Sequence, residues 1–471
     1  MTKPLPWMTS DILKATRGEL VCGDPQRSFS QISIDSRTIS PDSLFVAIVG
    51  DRHDGHSFVA DLIRRGVRGF VINKQNAFEL PIDQWKQNGL VCVVVPDSKK
   101  SLGDLAALRR RRSKVSVVAI TGSNGKTSTK DMTTAVISRR FDTLATQGNL
   151  NNEIGLPLTL FRLCPNHRWA VLELGMNRPG EIGRLGEICR PDIGVITNIG
   201  PAHLEGLGSI DGVMHAKGEL FNKLHSDGAA VINADDPHVL RIARGVAAHK
   251  LYYGLSETAT IRAESIRSQA AGTSFCLMLP AENITISLAT PGGFMVSNSL
   301  AAAAVGHLIG LSGKDIKVGL ENFRPASGRM NMVRSEIGIH IIDDTYNANP
   351  VSMEAALQTL RNLKGENRGI FVAGDMLELG SHTEAMHRHI GSLAAKSNIA
   401  RLCVTGKFAQ HVAAGARDAD METSRIFTGE KQEIIQDLIA WLRPGDWVLV
   451  KGSRGAGMEE VVKELKEINQ E

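Results

Sequence analysis

The chain has 471 residues, 42% of them hydrophobic, 22% charged and 5% aromatic, which is length for about three domains of ~150 residues each. That composition excludes a disordered tail or a fibrous repeat and leaves ample apolar material for cores. A formal charge of +4 over this length is close to neutral and gives no ground for nucleic acid as a partner.

Six scattered cysteines (Cys22, Cys92, Cys164, Cys189, Cys276, Cys403) form no C-x-x-C pair, so zinc is unsupported. Their mostly apolar neighbours suit reduced core thiols. Residues 1–20 lack a signal-peptide apolar region, and no apolar run reaches the ~18 residues of a membrane span. A cytoplasmic protein without a membrane span is expected.

In the first block, apolar runs at 44–48, 69–72 and 90–95 read as strands between helical stretches. The block ends near Arg109-Arg110-Arg111-Arg112, which reads as a solvated helix end rather than a phosphate or polynucleotide patch. The second block opens with 115–120, a β-rich run typical of a buried parallel strand. Further runs follow at 169–174, 193–197 and 229–233, with helical patterns between some of them. Residues 261–288 alternate more and suggest an antiparallel extension. Phe323-Arg324-Pro325-Ala326-Ser327-Gly328 looks like a linker and a hinge candidate. Beyond it, strands are expected at 339–343, 369–373, 401–404 and 447–450. The alternation predicts an α/β protein with a central doubly wound, mostly parallel sheet between two smaller α/β units. The expected domain limits are 1–112, 113–326 and 327–471.

The strongest local signal is Thr121-Gly122-Ser123-Asn124-Gly125-Lys126-Thr127-Ser128, between a strand and a helical pattern. Glycines let the backbone curl so that its N–H groups face a phosphate. The positive end of the following helix adds attraction, Lys126 reaches the outer phosphates, and the Thr127 hydroxyl suits Mg²⁺. Ile120 stands where the usual first glycine of such a loop would be. Glu173, near the carboxyl end of the next strand, lies on the same sheet edge. It suits Mg²⁺, or serves as a structural carboxylate that caps Asn177 or pairs with an arginine. His203 follows another strand end, where a hydrogen-bonded structural role is the plainer reading. Residues 209–221 read as a helix with an apolar stripe of Ile210, Val213, Met214, Leu220 and Phe221. Lys217 falls on that stripe and should point inward. Burial lowers a lysine's pKa, and a neutral amine can take up CO₂ as a carbamate, an oxygen ligand suited to Mg²⁺. Pattern alone favours a lysine that snorkels outward or pairs with Glu173.

In the third block, the segments after Asp343-Asp344, at Gly374-Asp375-Met376-Leu377-Glu378-Leu379-Gly380 and at Lys451-Gly452-Ser453-Arg454-Gly455 all follow strands. Parallel geometry clusters them on one edge, where the cationic loop suits a carboxylate or phosphate. Turn chemistry and capping are the plain alternative.

Taken together, these residues resemble the Mur ligase superfamily, whose ATP loop has the spacing seen at Thr121–Ser128. The resemblance covers nearly the full length and is most specific at Asp343–Pro350 with Gly374–Gly380. It implies an ATP-dependent amide ligase that works through an acyl phosphate. Its partners would be UDP-N-acetylmuramoyl-tripeptide and D-alanyl-D-alanine, and a monomer is expected. The resemblance also implies roles. Gly122 to Ser128 hold the ATP phosphates, and Thr127, Glu173 and His203 bind two Mg²⁺ ions. Lys217 is carbamylated, which reverses the reading from pattern. Asn298 contacts adenine, and Arg329 and Asp344 reach the phosphates and ribose when the domains close. Asp35-Ser36-Arg37 and Gly50-Asp51-Arg52-His53-Asp54-Gly55-His56 look like the uridine-diphosphate segment. Asn149, Asn151 and Asn152 look like a sugar-nucleotide contact, and Asn347, Asn349, Lys451, Ser453 and Arg454 complete the substrate set. A relative that adds the third amino acid usually carries Asp-Asn-Pro-Arg, absent here, and folylpolyglutamate synthase lacks a block like 1–112. A non-catalytic nucleotide sensor is disfavoured by the intact Lys126, Thr127, Glu173, His203 and Lys217.

Overall fold

A computed structural model describes residues 4–50, 53–78, 80–269 and 272–468. Val117 to Thr121 are all buried, so the strand Ser116–Thr121 has no polar face and sits mid-sheet. Around it the described residues form a nine-stranded sheet. Its order runs Asn283–Leu288, Gly272–Met278, Ile261–Gln269, His249–Gly254, Ala229–Asn233, Ile193–Ile196, Ser116–Thr121, Trp169–Glu173, Thr143–Ala145. Ile261–Gln269 pairs parallel with His249–Gly254, and the antiparallel extension begins at Gly272–Met278. From Ser116–Thr121 the chain runs to one side of the strand for Thr143–Ala145 and Trp169–Glu173, then to the other for Ile193–Ile196. A crevice therefore opens at the carboxyl end of Ser116–Thr121, the usual ligand position in such sheets.

A second sheet has the order Asn331–Arg334, His340–Asp344, Trp447–Lys451, Gly369–Ala373, Arg401–Val404, Ile426–Thr428. All its pairs are parallel except the first. A third, N-terminal sheet has the order Glu19–Cys22, Val91–Val95, Gly69–Asn73, Leu44–Val46, Ile32–Ser33. The expected strands are all present, with ends shifted by no more than two residues. No helix among the described residues is long and apolar enough to cross a membrane, and all six cysteines are free.

Two expectations need correction. The basic run does end a helix, with Arg111 and Arg112 exposed, but its first two arginines are not solvated. Arg109, at the end of the helix Ser98–Arg112, is buried, with its guanidinium 4.1 Å over the Trp7 ring and a hydrogen bond donated to Leu5 O. Burial lowers its pKa to about 10. Arg110 donates to Cys189 O and pairs with Asp192 of the central domain, and Arg112 pairs with Asp11. A helix C-terminus favours cations, and an aromatic face takes a guanidinium. Arg110 rivets the helix end to the central domain, while Arg109 and Arg112 fasten it to the N-terminal segment. In the helix Ile210–Gly218, Ile210 is 38% exposed and lies off the buried stripe, although Val213, Met214 and Lys217 are buried.

Candidate active site

The loop after Ser116–Thr121 is held from both sides. Asn124 N donates to Asn198 Oδ1 at 2.9 Å, Thr197 Oγ1 donates to Asn124 O at 2.6 Å, and the Ser123 hydroxyl bridges Gly200 N and O. The helix Lys126–Ile137 starts from Gly125 with no side-chain cap, so its first N–H groups stay open to an anion. Lys126 Nζ folds back to Gly122 O at 2.8 Å. Burial pulls its pKa down, and the charge of Glu173 opposes that shift. Gly125 has φ +79°, and a Cβ there would sit 2.3 Å from Asn298 Oδ1. Gly125→Ala is expected to cost about 1–3 kcal/mol of stability and to weaken ATP binding. Denaturant titration and ATP calorimetry measure both, and unchanged values would contradict this account of the loop.

Glu173 does not take either structural role foreseen for it. The Thr127 hydroxyl donates to its Oε2 at 2.8 Å and Asn151 Nδ2 to its Oε1 at 2.7 Å. Asn152 lines the same cleft, but its Oδ1 caps the helix Gly155–Phe161 through Ile154 N and Gly155 N. Lys217 is 1% exposed, and no described residue gives it a hydrogen bond or ion pair, so it neither snorkels nor pairs with Glu173. Burial, with the charge of Lys126 nearby, pushes its pKa well below the lysine range.

The C-terminal domain closes the other side. Lys451 is buried and donates to Asp344 Oδ2 and, at 2.9 Å, to Asn347 O. The Arg329 guanidinium lies 3.9 Å over the Tyr346 ring. Ser453 accepts from Leu377 N at 2.9 Å and donates to Ala348 O at 3.3 Å, so the three strand-end loops do meet on one edge. Two bonds between side chains cross here to the central domain. Asn349 Nδ2 donates to Asn124 Oδ1 at 2.7 Å, and His203 Nδ1 meets Glu378 Oε2 at 2.6 Å. Sequence reading singled out the loop containing Glu378 but gave that residue no role. Its carboxylate at a strand-end loop was the available signal.

A cavity of about 700 Å³ lies between these walls. Ser123 to Ser128, Glu173, His203 and Asn298 line it from the central domain. Arg329, Asp344, Asn347, Asn349 and Lys451 line it from the C-terminal domain. Asn151 also lines it, whereas Gly122, Asn149, Lys217, Ser453 and Arg454 do not. From the N-terminal domain it meets Val49, Gly50 and Lys99, and Lys99 pairs with Glu153 at 2.6 Å. Ser36 and Arg37 lie outside it, and Arg37 is paired with Asp35 at 2.9 Å. His56 is occupied on both ring nitrogens, by Asp54 at 2.6 Å and by Asn73 N at 2.9 Å. Asp51 and Arg52 of that segment lie outside the described residues.

No group of three or more His, Cys, Asp or Glu side chains suited to a metal occurs among the described residues. Mg²⁺ is usually held by one or two carboxylates together with substrate phosphates. The Thr127 hydroxyl and Glu173 carboxylate, in contact at the start of an open helix, are such a set.

Three family models match: the Mur ligase family catalytic domain over residues 28–110, the Mur ligase middle domain over 120–306 and the Mur ligase glutamate ligase domain over 328–454. The chain belongs to the Mur ligase family. It is 36% identical to the UDP-N-acetylmuramoyl-tripeptide–D-alanyl-D-alanine ligase of Escherichia coli (strain K12), over 97% of this chain and 98% of that one. A crystal structure of MurF from Acinetobacter baumannii superposes with a TM-score of 0.90 at 32% identity, covering 99% and 100% of the two chains. That of Thermotoga maritima MurF in complex with ADP gives 0.82 at 26% identity, over 93% and 97%. The likeness is thus to the MurF type, and the chain is an ATP-dependent ligase of peptidoglycan precursor synthesis.

Proposed function

We propose that this ligase joins D-alanyl-D-alanine to UDP-N-acetylmuramoyl-tripeptide, as the names of its relatives indicate for them. The observation that carries the reading is the convergence on one cavity of an open phosphate loop and two C-terminal cations, Arg329 and Lys451. A carboxylate oxygen of the nucleotide-linked peptide attacks the γ-phosphorus of ATP, and ADP leaves. The dipeptide amine then attacks the acyl carbon, loses a proton as the amide forms, and inorganic phosphate departs. The first step presses an anion against a polyanion, so neutralising charge is the main task. Lys126 and Arg329 address the phosphates, Asp344 the ribose, and Asn298 the adenine. Asn151 and Asn152 face the sugar nucleotide, and Asn347, Asn349 and Lys451 the dipeptide side.

Thr127, Glu173 and His203 would hold two Mg²⁺ ions, which would supply further neutralisation of the phosphate charge. Lys217 is buried without a partner, and burial favours its neutral amine, the form that would add to CO₂, lose a proton and become a carbamate. The N-terminal domain, residues 1–112, takes the uridine nucleotide. Residues 113–326 take ATP, and 327–471 swing about the 323–328 linker to exclude water from the acyl phosphate. The enzyme acts as a cytoplasmic monomer. A coupled phosphate-release assay tests this. Release should require both the nucleotide tripeptide and D-alanyl-D-alanine, with diaminopimelate- and lysine-containing nucleotides and other dipeptides run in parallel. Release that ignores either substrate would overturn the assignment.

A further inference from the structure

The His203–Glu378 contact joins the central domain to the C-terminal domain beside the phosphate loop. His203 follows the strand Ile193–Ile196, and Glu378 lies in the loop after Gly369–Ala373. His203 Nδ1 and Glu378 Oε2 are 2.6 Å apart, and Glu205 N donates to Glu378 O at 3.2 Å. Both residues adopt left-handed backbone, His203 at φ +56° and Glu378 at φ +63°. Non-glycine residues seldom do so, and such strain persists where the surroundings over-determine it. Gly380, φ +58°, brings its loop against the Glu205 backbone, where a Cβ would lie 3.3 Å from Glu205 Cα.

An ionised carboxylate can only accept, so His203 Nδ1 carries the proton and donates it. His203 Nε2 is then the ring nitrogen that Glu378 leaves over. It has no partner among the described residues, and His203 lines the cavity. A histidine that offers one nitrogen to a site commonly has the other fixed by a carboxylate. Here that carboxylate arrives from another domain.

We propose that Glu378 is a positioning residue which, by accepting the His203 Nδ1 hydrogen bond across the interdomain cleft, orients Nε2 toward the phosphate site only when the C-terminal domain is seated. Seating of the dipeptide-side domain and readiness of the phosphate side are then one event. The inference rests on the proposed function for its kinetic consequence, but not for its geometry.

Two readouts on the full-length protein test it. The first is the His203 tautomer by NMR of ¹⁵N-histidine-labelled protein, assigned with His203→Gln. The wild type should be Nδ1-protonated, and Glu378→Ala should shift the ring toward the Nε2-protonated form. The second is kinetics. Glu378→Ala should lower kcat about 10–100-fold, with KM for the uridine nucleotide within about twofold because that substrate is held at the far domain. Glu378→Gln should recover about tenfold of the loss, since its amide oxygen still accepts from Nδ1. An unchanged tautomer in Glu378→Ala, or equal losses in the Gln and Ala variants, overturns the proposal. A tautomer shift in a protein that ligates nothing would uphold the clasp and remove the functional reading instead.

Discussion

Lys126→Ala should release phosphate at less than about one-hundredth of the wild-type rate under saturating substrates, the scale seen when one preorganised charge donor is removed. The folded chain should survive. Lys126 Nζ makes its contacts to the loop carbonyls of Gly122 and Ser123 and holds no distant element. The melting temperature should therefore fall by no more than a few degrees. Burial already disfavours the Lys126 ammonium, and Glu173 is the charge that most sustains it. An arriving polyphosphate supplies far more negative charge and favours the ammonium. The loss should appear in kcat and in ATP affinity together, and an intact phosphate-release rate in this variant would contradict the phosphate-loop assignment.

Lys217 should show a conflict between stability and activity. Lys217→Ala is expected to be inactive and partly restored by short carboxylic acids, which can lodge where the carbamate would be. Lys217→Met, close in length and apolar, is expected to be inactive but more stable than the wild type in CO₂-free, metal-free buffer. The gain at pH 7 should be at least about 1 kcal/mol, because an unpaired buried amine is replaced by a packed thioether. The sign with pH follows from linkage. Burial depresses the folded-state pKa of Lys217, whereas the unfolded chain titrates near the ordinary lysine value. Between those two values the unfolded state binds more protons, so wild-type stability rises with pH relative to Lys217→Met. The gap between the two proteins should be widest at low pH and close as pH approaches ~10.4. Denaturant titrations at several pH values measure it, and a wild type that is the more stable at pH 7 would contradict the buried, unpaired lysine.

Much of the architecture was legible because buried parallel strands leave a plain trace. The runs at 369–373 and 229–233 have no polar residue before the strand end, and both strands appear at those bounds. The strands that escaped notice lie mostly at sheet edges or are short. Glu19–Cys22, Thr143–Ala145 and Ile426–Thr428 are half-exposed and carry mixed polarity, so neither periodicity stands out. His249–Gly254 lies inside the sheet but opens with His249 and Lys250, which hide it. The inward orientation of Lys217 followed from helical spacing, whereas its lack of any partner needed the packed neighbours. Contacts between domains were invisible. Nothing in Arg110 announces Asp192 of the central domain, and nothing in Glu378 announces His203. Both depend on how separately folded units dock, which local patterning does not encode.

The central claim is that the cleft lets a carboxylate take the γ-phosphoryl group of ATP before the amine arrives. Labelling the reacting carboxylate of the nucleotide tripeptide with ¹⁸O and following one turnover by mass spectrometry tests it directly. One ¹⁸O atom should appear in the released inorganic phosphate, with ADP unlabelled. Phosphate free of label, or label recovered in AMP, would contradict the acyl-phosphate route and the role given to the phosphate loop.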